Sequence, residues 1–287
     1  MKAIICNKWC KPEDLKVLEV ASPKLELDSV RIDVHAAGVN FPDVLIIQGK
    51  YQYKPQFPFS PGSEVSGIIS EIGAEVKGFK VGDRVMAVTG HGAFAEEICV
   101  PESKLTKLPI EMDFIIAASM SLTYGTSAFA LFQRASITKN DTVLIHGSTG
   151  GVGITALEIS KAMECKVIAT ASTDEKLKVA KEYGADYCIN YSNKNFKDEV
   201  KEITNGNGAD IIYDPVGGEV FNQSLRCIAW NGRLLIIGFA SGTIASAPTN
   251  LPLLKNCSIV GVFWGAWRER DPNGHHLNME KIIDWWK

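Results

Sequence analysis

The run Val143-Leu144-Ile145-His146-Gly147-Ser148-Thr149-Gly150-Gly151-Val152-Gly153 joins an apolar stretch to an amphipathic one. Glycines at such a junction let the backbone turn sharply and approach a ligand closely. The free N–H groups that open a helix there favour a pyrophosphate. The spacing is Gly-x-x-Gly-Gly-x-Gly rather than Gly-x-Gly-x-x-Gly, so position carries the inference: strand before, helix after, a second strand by residue 166. That second strand ends Ala169-Thr170-Ala171-Ser172-Thr173-Asp174-Glu175-Lys176. An acidic residue at such a tip would bond a free ribose 2′-OH. Here Ser172 and Lys176 offer a hydroxyl and an ammonium, which suit a 2′-phosphate, so NADPH is expected over NADH. Asp174 and Glu175 suit the N-terminus of the next helix, although Asp174 opposes a phosphate if it turns toward the ribose. Ser172 and Asp174 acting only as helix caps is the plainer alternative.

These residues need a frame, and the chain from about 120 supplies one. Thr142–His146 reads as an apolar strand. Gly151–Met163 follows with Val152, Ala156, Ile159 and Met163 on one helical stripe. Strands are then expected at Lys166–Ala171, Tyr187–Asn190, Ala209–Asp214, Gly232–Gly238 and Cys257–Phe263. Helices are expected at Asp174–Tyr183, stopped by Gly184, at Asn195–Ile203 and at Gly218–Cys227. Strand–helix alternation implies an α/β doubly wound parallel sheet. Residues 1 to about 110 have another texture. Short β-type runs (Lys16–Ala21, Val30–Val39, Val65–Ile72, Arg84–Val88, Phe94–Val100) are split by Gly and Pro, as in a small barrel or partly open β domain. Phe41–Gln48 reads as one short helix among them.

A chain of 287 residues has room for one large domain or two ordinary ones. With 30 basic and 33 acidic residues it carries no field to hold a polyanion, so neither nucleic acid nor an anionic membrane is the expected partner. The seven cysteines are odd in number and include no Cys-x-x-Cys pair, which points to free thiols in a reducing compartment. The apolar run after Met1 is too short for a signal-peptide core and suits a first strand. No stretch reaches the roughly 18 apolar residues of a membrane span. A cytoplasmic protein is expected. No metal is expected either. Cys6 and Cys10 make a poor pair for tetrahedral zinc, and His35, His91, His146, His275 and His276 have no ligand spacing. His146 reads as a packed or capping histidine.

Several stretches together resemble the medium-chain dehydrogenase/reductase superfamily, in its zinc-free NADPH:quinone oxidoreductase branch that includes zeta-crystallin. They are Ala37-Gly38-Val39-Asn40-Phe41-Pro42-Asp43, Pro58 to Gly67, Gly78 to Val85, Leu122 to Ala128 and the glycine run. Gly184-Ala185-Asp186, Asp214 to Gly218, Gly232 to Gly242, Asn250 to Asn256 and Val262-Phe263-Trp264-Gly265 complete the set. The resemblance covers nearly the whole chain in order. It implies a GroES-like β-rich catalytic domain at 1–120, a Rossmann NADPH-binding domain at 121–257, and a return to the catalytic domain at 258–287. It also implies NADPH in the cleft and a homodimer joined through Rossmann sheet edges. The family's cofactor contacts fall on Asn40, Thr123, Gly150, Gly151, Val152, Ser172, Lys176, Tyr191, Phe239 and Ala240.

Family members run several tens of residues beyond Lys287, so the returning segment looks truncated and Trp285 and Trp286 are expected to be exposed. Zinc-dependent relatives place Cys where Asn40 stands and His where Ser63 stands, with Glu64 following. Without that zinc, easier acceptors are favoured. A quinone or an α,β-unsaturated carbonyl spreads the charge left by hydride over a conjugated system, and hydrogen-bond donors can stabilise it. Asn40, Tyr51 and Tyr53 are the candidate catalytic donors, with packing or a lid as the plainer role for the tyrosines. Glu64 reads as structural. The expected function is hydride transfer from NADPH to a quinone. The alternatives are an enone or enoyl-CoA reductase of the acryloyl-CoA type, and a non-catalytic NADPH-binding protein.

Overall fold

The computed structural model describes all residues, 1–287. The chain divides into two compact units, Met1–Leu122 and Thr123–Lys287.

In the first unit β1 (Lys2–Ile5) and β2 (Lys16–Glu19) form an antiparallel hairpin. The remaining strands are β3 (Ser29–Gly38), β4 (Glu64–Ile72), β5 (Arg84–Val88), β6 (Glu97–Pro101) and β7 (Leu105–Lys107). They make a five-stranded antiparallel sheet in the order β6-β3-β4-β5-β7. One face of the sheet packs inward; burial alternates along β6, whereas β4 and β5 bury successive residues, Glu64 to Gly67 and Val85 to Val88. Val30 and Ile32, Val65 and Ile69, Val85 and Ala87, and Ile98 and Val100 meet in one core. Two short helices complete the unit, α1 (Phe41–Ile47) and α2 (Phe114–Ala118). Helix α1 starts at Asn40, with Phe41-Pro42 in its first turn; proline suits that turn because its missing N–H would have no partner there. The division between the units falls within α3 (Ser121–Ala128).

The second unit is built on β8 (Thr142–Ile145), β9 (Lys166–Ala171), β10 (Tyr187–Asn190), β11 (Ala209–Asp214), β12 (Ile228–Ile236) and β13 (Ser258–Gly261). All pair in parallel, in the order β10-β9-β8-β11-β12-β13. This is the doubly wound order, with its switch point between β8 and β11. Helices α4 (Gly151–Ala162), α5 (Asp174–Glu182), α6 (Phe196–Ile203), α7 (Gly218–Cys227) and α8 (Asn250–Lys255) link the strands. Their cover explains why Val143-Leu144-Ile145 and Ile211-Ile212-Tyr213 are buried without alternation.

Residues 258–287, for which a return to the catalytic domain is expected, cluster with the second unit. Residues 258–261 are the sixth strand of the parallel sheet. The chain then forms α9 (Trp264–Arg270) and α10 (Pro272–Trp286). Trp267 stacks on Phe129 with ring centres 4.4 Å apart, and Asn278 and Gln133 exchange two amide hydrogen bonds of 3.0 Å. Trp285 and Trp286 are exposed, as expected. No helix is long and apolar enough to cross a membrane.

Candidate functional site

In the second unit the candidate cofactor residues gather at the C-terminal ends of the parallel strands. The chain leaves β8, reaches Gly147 at φ +55° and turns back on itself, with the Gly150 N–H donating to the Gly147 carbonyl (2.9 Å). Helix α4 then starts at Gly151. The N–H groups of Gly151, Val152 and Gly153 form its first turn, where a helix has no internal acceptors for them. A Cβ on Gly153 would overlap the Gly147 carbonyl, so this glycine closes the turn. Gly150 and Gly151 are less confined. A Cβ would stand 3.4 Å from the Gly147 oxygen and 3.1 Å from the Thr123 Cγ2, respectively. Thr123 is thus brought beside the loop, and its carbonyl accepts from the Thr155 hydroxyl (3.2 Å). Bare backbone with outward N–H groups at a helix start fits a pyrophosphate.

At the tip of β9 the Lys176 ammonium donates to the Ser172 hydroxyl (3.4 Å). The cap of α5 is Thr173, whose hydroxyl accepts the Lys176 N–H (3.3 Å), so neither Ser172 nor Asp174 serves as that cap. Asp174 instead accepts from the Asn190 amide (2.8 Å). The Tyr191 N–H donates to the Ala171 carbonyl (3.2 Å), which places Tyr191 next to the same tip with its ring exposed. Ser192 lies there too, its hydroxyl donating to the Ser172 carbonyl (2.8 Å). Sequence reasoning did not single Ser192 out, and no local pattern marks it.

Phe239 and Ala240 follow β12. The buried Asp214 carboxylate accepts the N–H groups of Val216 and Gly217 (2.8 and 3.0 Å), and the Ala240 N–H donates to the Pro215 carbonyl (3.0 Å). Pro215 and Val216 also border Gly147. His146 is packed, as expected: its ring nitrogens meet the Thr170 and Ser224 hydroxyls at 2.9 Å each. Burial pushes its pKa down to about 3, so it stays neutral.

In the first unit Asn40 belongs to a polar cluster. Its amide donates to Glu64 Oε1 (2.7 Å), and Glu64 Oε2 accepts the Leu122 N–H (2.8 Å). Asp43 accepts the Asn40 N–H (2.8 Å) and the Ser63 hydroxyl. Burial holds both carboxyl groups above their usual values. Glu64 rises to about 7 against the pull of Asn40 and Leu122. Tyr51 packs against Cys6, Ile46, Ile47 and Phe59; burial, then the Asp43 charge, keep its proton in place. Tyr53 stands apart from this cluster, its hydroxyl 2.8 Å from His91 Nδ1. Burial and then Lys104 favour neutral His91. Asp43, Ser63 and His91 were not read as site residues. The Asn40-x-x-Asp43 spacing was the available signal for the first.

Cys6 and Cys10 lie with sulfurs 3.8 Å apart, and all seven cysteines are free. No group of three His, Cys, Asp or Glu side chains is placed to hold a metal ion.

The family description "Alcohol dehydrogenase GroES-like domain" matches residues 26–110, and "Zinc-binding dehydrogenase" matches residues 151–277. The quinone oxidoreductase-like protein 2 homolog of Nematostella vectensis is 40% identical, over 100% of this chain and 78% of that protein. Quinone oxidoreductase of Homo sapiens is 34% identical, over 91% of this chain and 80% of that protein. The crystal structure of Escherichia coli quinone oxidoreductase complexed with NADPH superposes with a TM-score of 0.90. It is 27% identical and covers 99% of this chain and 87% of that one. With the glycine turn in its doubly wound sheet and the antiparallel unit before it, the chain belongs to the quinone oxidoreductase family of medium-chain dehydrogenases/reductases.

Proposed function

We propose that this chain is an NADPH-dependent oxidoreductase that delivers hydride to a quinone without zinc. The observation that carries the reading is the pairing of an open glycine turn with Ser172 and Lys176 at the neighbouring strand tip. The Gly151, Val152 and Gly153 N–H groups bind the pyrophosphate, with Gly150 giving it room. Ser172 and Lys176 hold the 2′-phosphate, and Tyr191 flanks that end. Asp174 is bound to the Asn190 amide. Thr123, Phe239 and Ala240 border the rest of the cofactor. When bound, NADPH supplies the hydride.

The first unit handles the acceptor. Asn40 offers an amide N–H to the oxygen that gains charge, and Tyr51, which keeps its proton, supports the same polar cluster. Tyr53 shares its hydroxyl with His91, which favours a packing or lid role. Asn and Ser stand at 40 and 63 where zinc-dependent relatives carry Cys and His, so a conjugated acceptor suits this chain better than a plain ketone. A second copy of the chain is proposed to pair along the outer edge of β13, which sizing chromatography tests.

NADPH oxidation should be followed with a panel of quinones and enones, in the presence and absence of a strong chelator. Quinone turnover unchanged by the chelator supports the reading. Turnover of enones alone, binding without turnover, or chelator loss restored by zinc each overturns it.

A further inference from the structure

Asn40 does not orient its amide alone. Glu64 opens β4 directly opposite Gly38, the last residue of β3. Its side chain is buried, with the residue only 1% exposed. Gly38 makes the room, since a Cβ there would overlap the Glu64 carboxylate and the Ala118 carbonyl. Neutral groups meet this carboxylate from several elements, and one charged group acts on it. Asn40 gives its amide, α3 gives the Leu122 N–H, β5 gives Val88 across the ladder, and α1 gives Asp43, the charged group acting on it. The partners of both carboxylates are an amide, a hydroxyl and backbone N–H groups.

An ionised carboxylate only accepts hydrogen bonds, whereas a protonated one also donates. An amide has one donor end and one acceptor end. Ionised Glu64 therefore takes the Nδ2 end of Asn40, the arrangement in the structure. We propose that Glu64 is the positioning residue for Asn40, its protonation state deciding which end of the amide is held inward and which is presented to an acceptor. Protonated Glu64 donates to Asn40 Oδ1, and the NH2 group turns outward with both hydrogens free for an oxygen that gains charge. Ionised Glu64 draws one of those hydrogens back. Burial places this exchange near neutrality.

The inference rests on Asn40 as the substrate-facing donor, but the amide can be watched without turnover. The Asn40 side-chain NH2 resonance, assigned by its loss in Asn40→Ala, should move with pH about a midpoint near 7 in the unmodified protein and stay still in Glu64→Gln. With a quinone, kcat should fall about tenfold as pH rises through that midpoint, the size of one hydrogen bond to a charged group. KM for NADPH should not follow. Glu64→Gln, able to donate or accept at any pH, should flatten this limb. A resonance that does not titrate, one that titrates equally in Glu64→Gln, or an unchanged kcat profile in that variant overturns the proposal. If Glu64→Gln does not fold, the titration of the unmodified protein decides alone. A titrating amide in a chain that reduces no quinone leaves the positioning role standing and overturns only the proposed reaction.

Discussion

The two units build their candidate sites from different materials. The second offers a candidate anion site made of backbone N–H groups, a hydroxyl and one lysine, and keeps its buried His146 neutral. The first buries two carboxyl groups of its own beside a single amide. A backbone site depends on chain path, and any side chain there obstructs it. A side-chain site depends on protons, and pH reaches it directly. The two should therefore fail under different insults.

The largest expected failure is in chain path. Gly153→Val would drive a branched side chain into the Gly147 carbonyl, backbone that cannot swing aside. The cost should exceed the usual ~1–3 kcal/mol of overpacking, and urea unfolding of the second unit should show it. A Gly153→Val protein of ordinary stability would mean that the turn is not held by this contact.

The next sharpens the proton side. The folded Glu64 carboxyl, at about 7, lies above its free value of 4.5, so its contribution to stability is complete below pH 4.5 and is lost as pH rises through 7. His146, at about 3, lies below its free value of 6.5, so its contribution is complete above pH 6.5 and is lost as pH falls through 3. Each is worth on the order of a few kcal/mol. Relative to the unmodified protein, Glu64→Gln should gain stability from pH 5 to 7, and His146→Gln should gain it from pH 6.5 to 4. Hydrogen exchange in β4 and β8 reads the two separately. The same sign in both would erase the contrast between the units.

A smaller effect separates ligand from fold. Gly151→Val meets only the Thr123 methyl, which can shift, so the circular dichroism and unfolding midpoint should stay close to normal. NADPH affinity should fall at least ~100-fold, because the pyrophosphate loses its approach to the backbone. An unchanged dissociation constant would remove the loop from the site. Lys176→Ala is the mildest. One charged hydrogen bond is lost, so NADPH should weaken about tenfold and NADH hardly at all. Equal losses would take the 2′-phosphate away from Ser172 and Lys176.

What could be read beforehand follows the same division. The glycine turn was legible because its parts are contiguous, and β9, β10 and β11 fell at the expected residues because apolar runs meet clear stops. Strand β12 began four residues earlier than Gly232. Trp230-Asn231-Gly232 looks like a turn, and Asn231 does take a positive φ, but the strand continues through it with a shifted register. Helix α10 went unread because Pro272-Asn273-Gly274 resembles a loop. Asp271 caps it by accepting the Gly274 N–H (2.9 Å), and Pro272 occupies the first turn, where its missing N–H costs nothing. Asn40 stands out in the sequence as a candidate, but its hold on Glu64 spans 24 positions and Tyr53 reaches His91 across 38, and no local pattern encodes such pairings.

The glycines of the turn should age differently as this lineage diverges. Gly153 and Gly147 are locked by each other, whatever the chain binds. Gly150 and Gly151 are exposed, and on the proposed reading their bareness serves a bound nucleotide more than the fold. A descendant that abandoned nucleotides would be free to decorate positions 150 and 151, while still obliged to keep 153 bare. Across divergent copies, an intact glycine at 153 testifies only to the architecture. Bare backbone at 150 and 151 testifies to continued use.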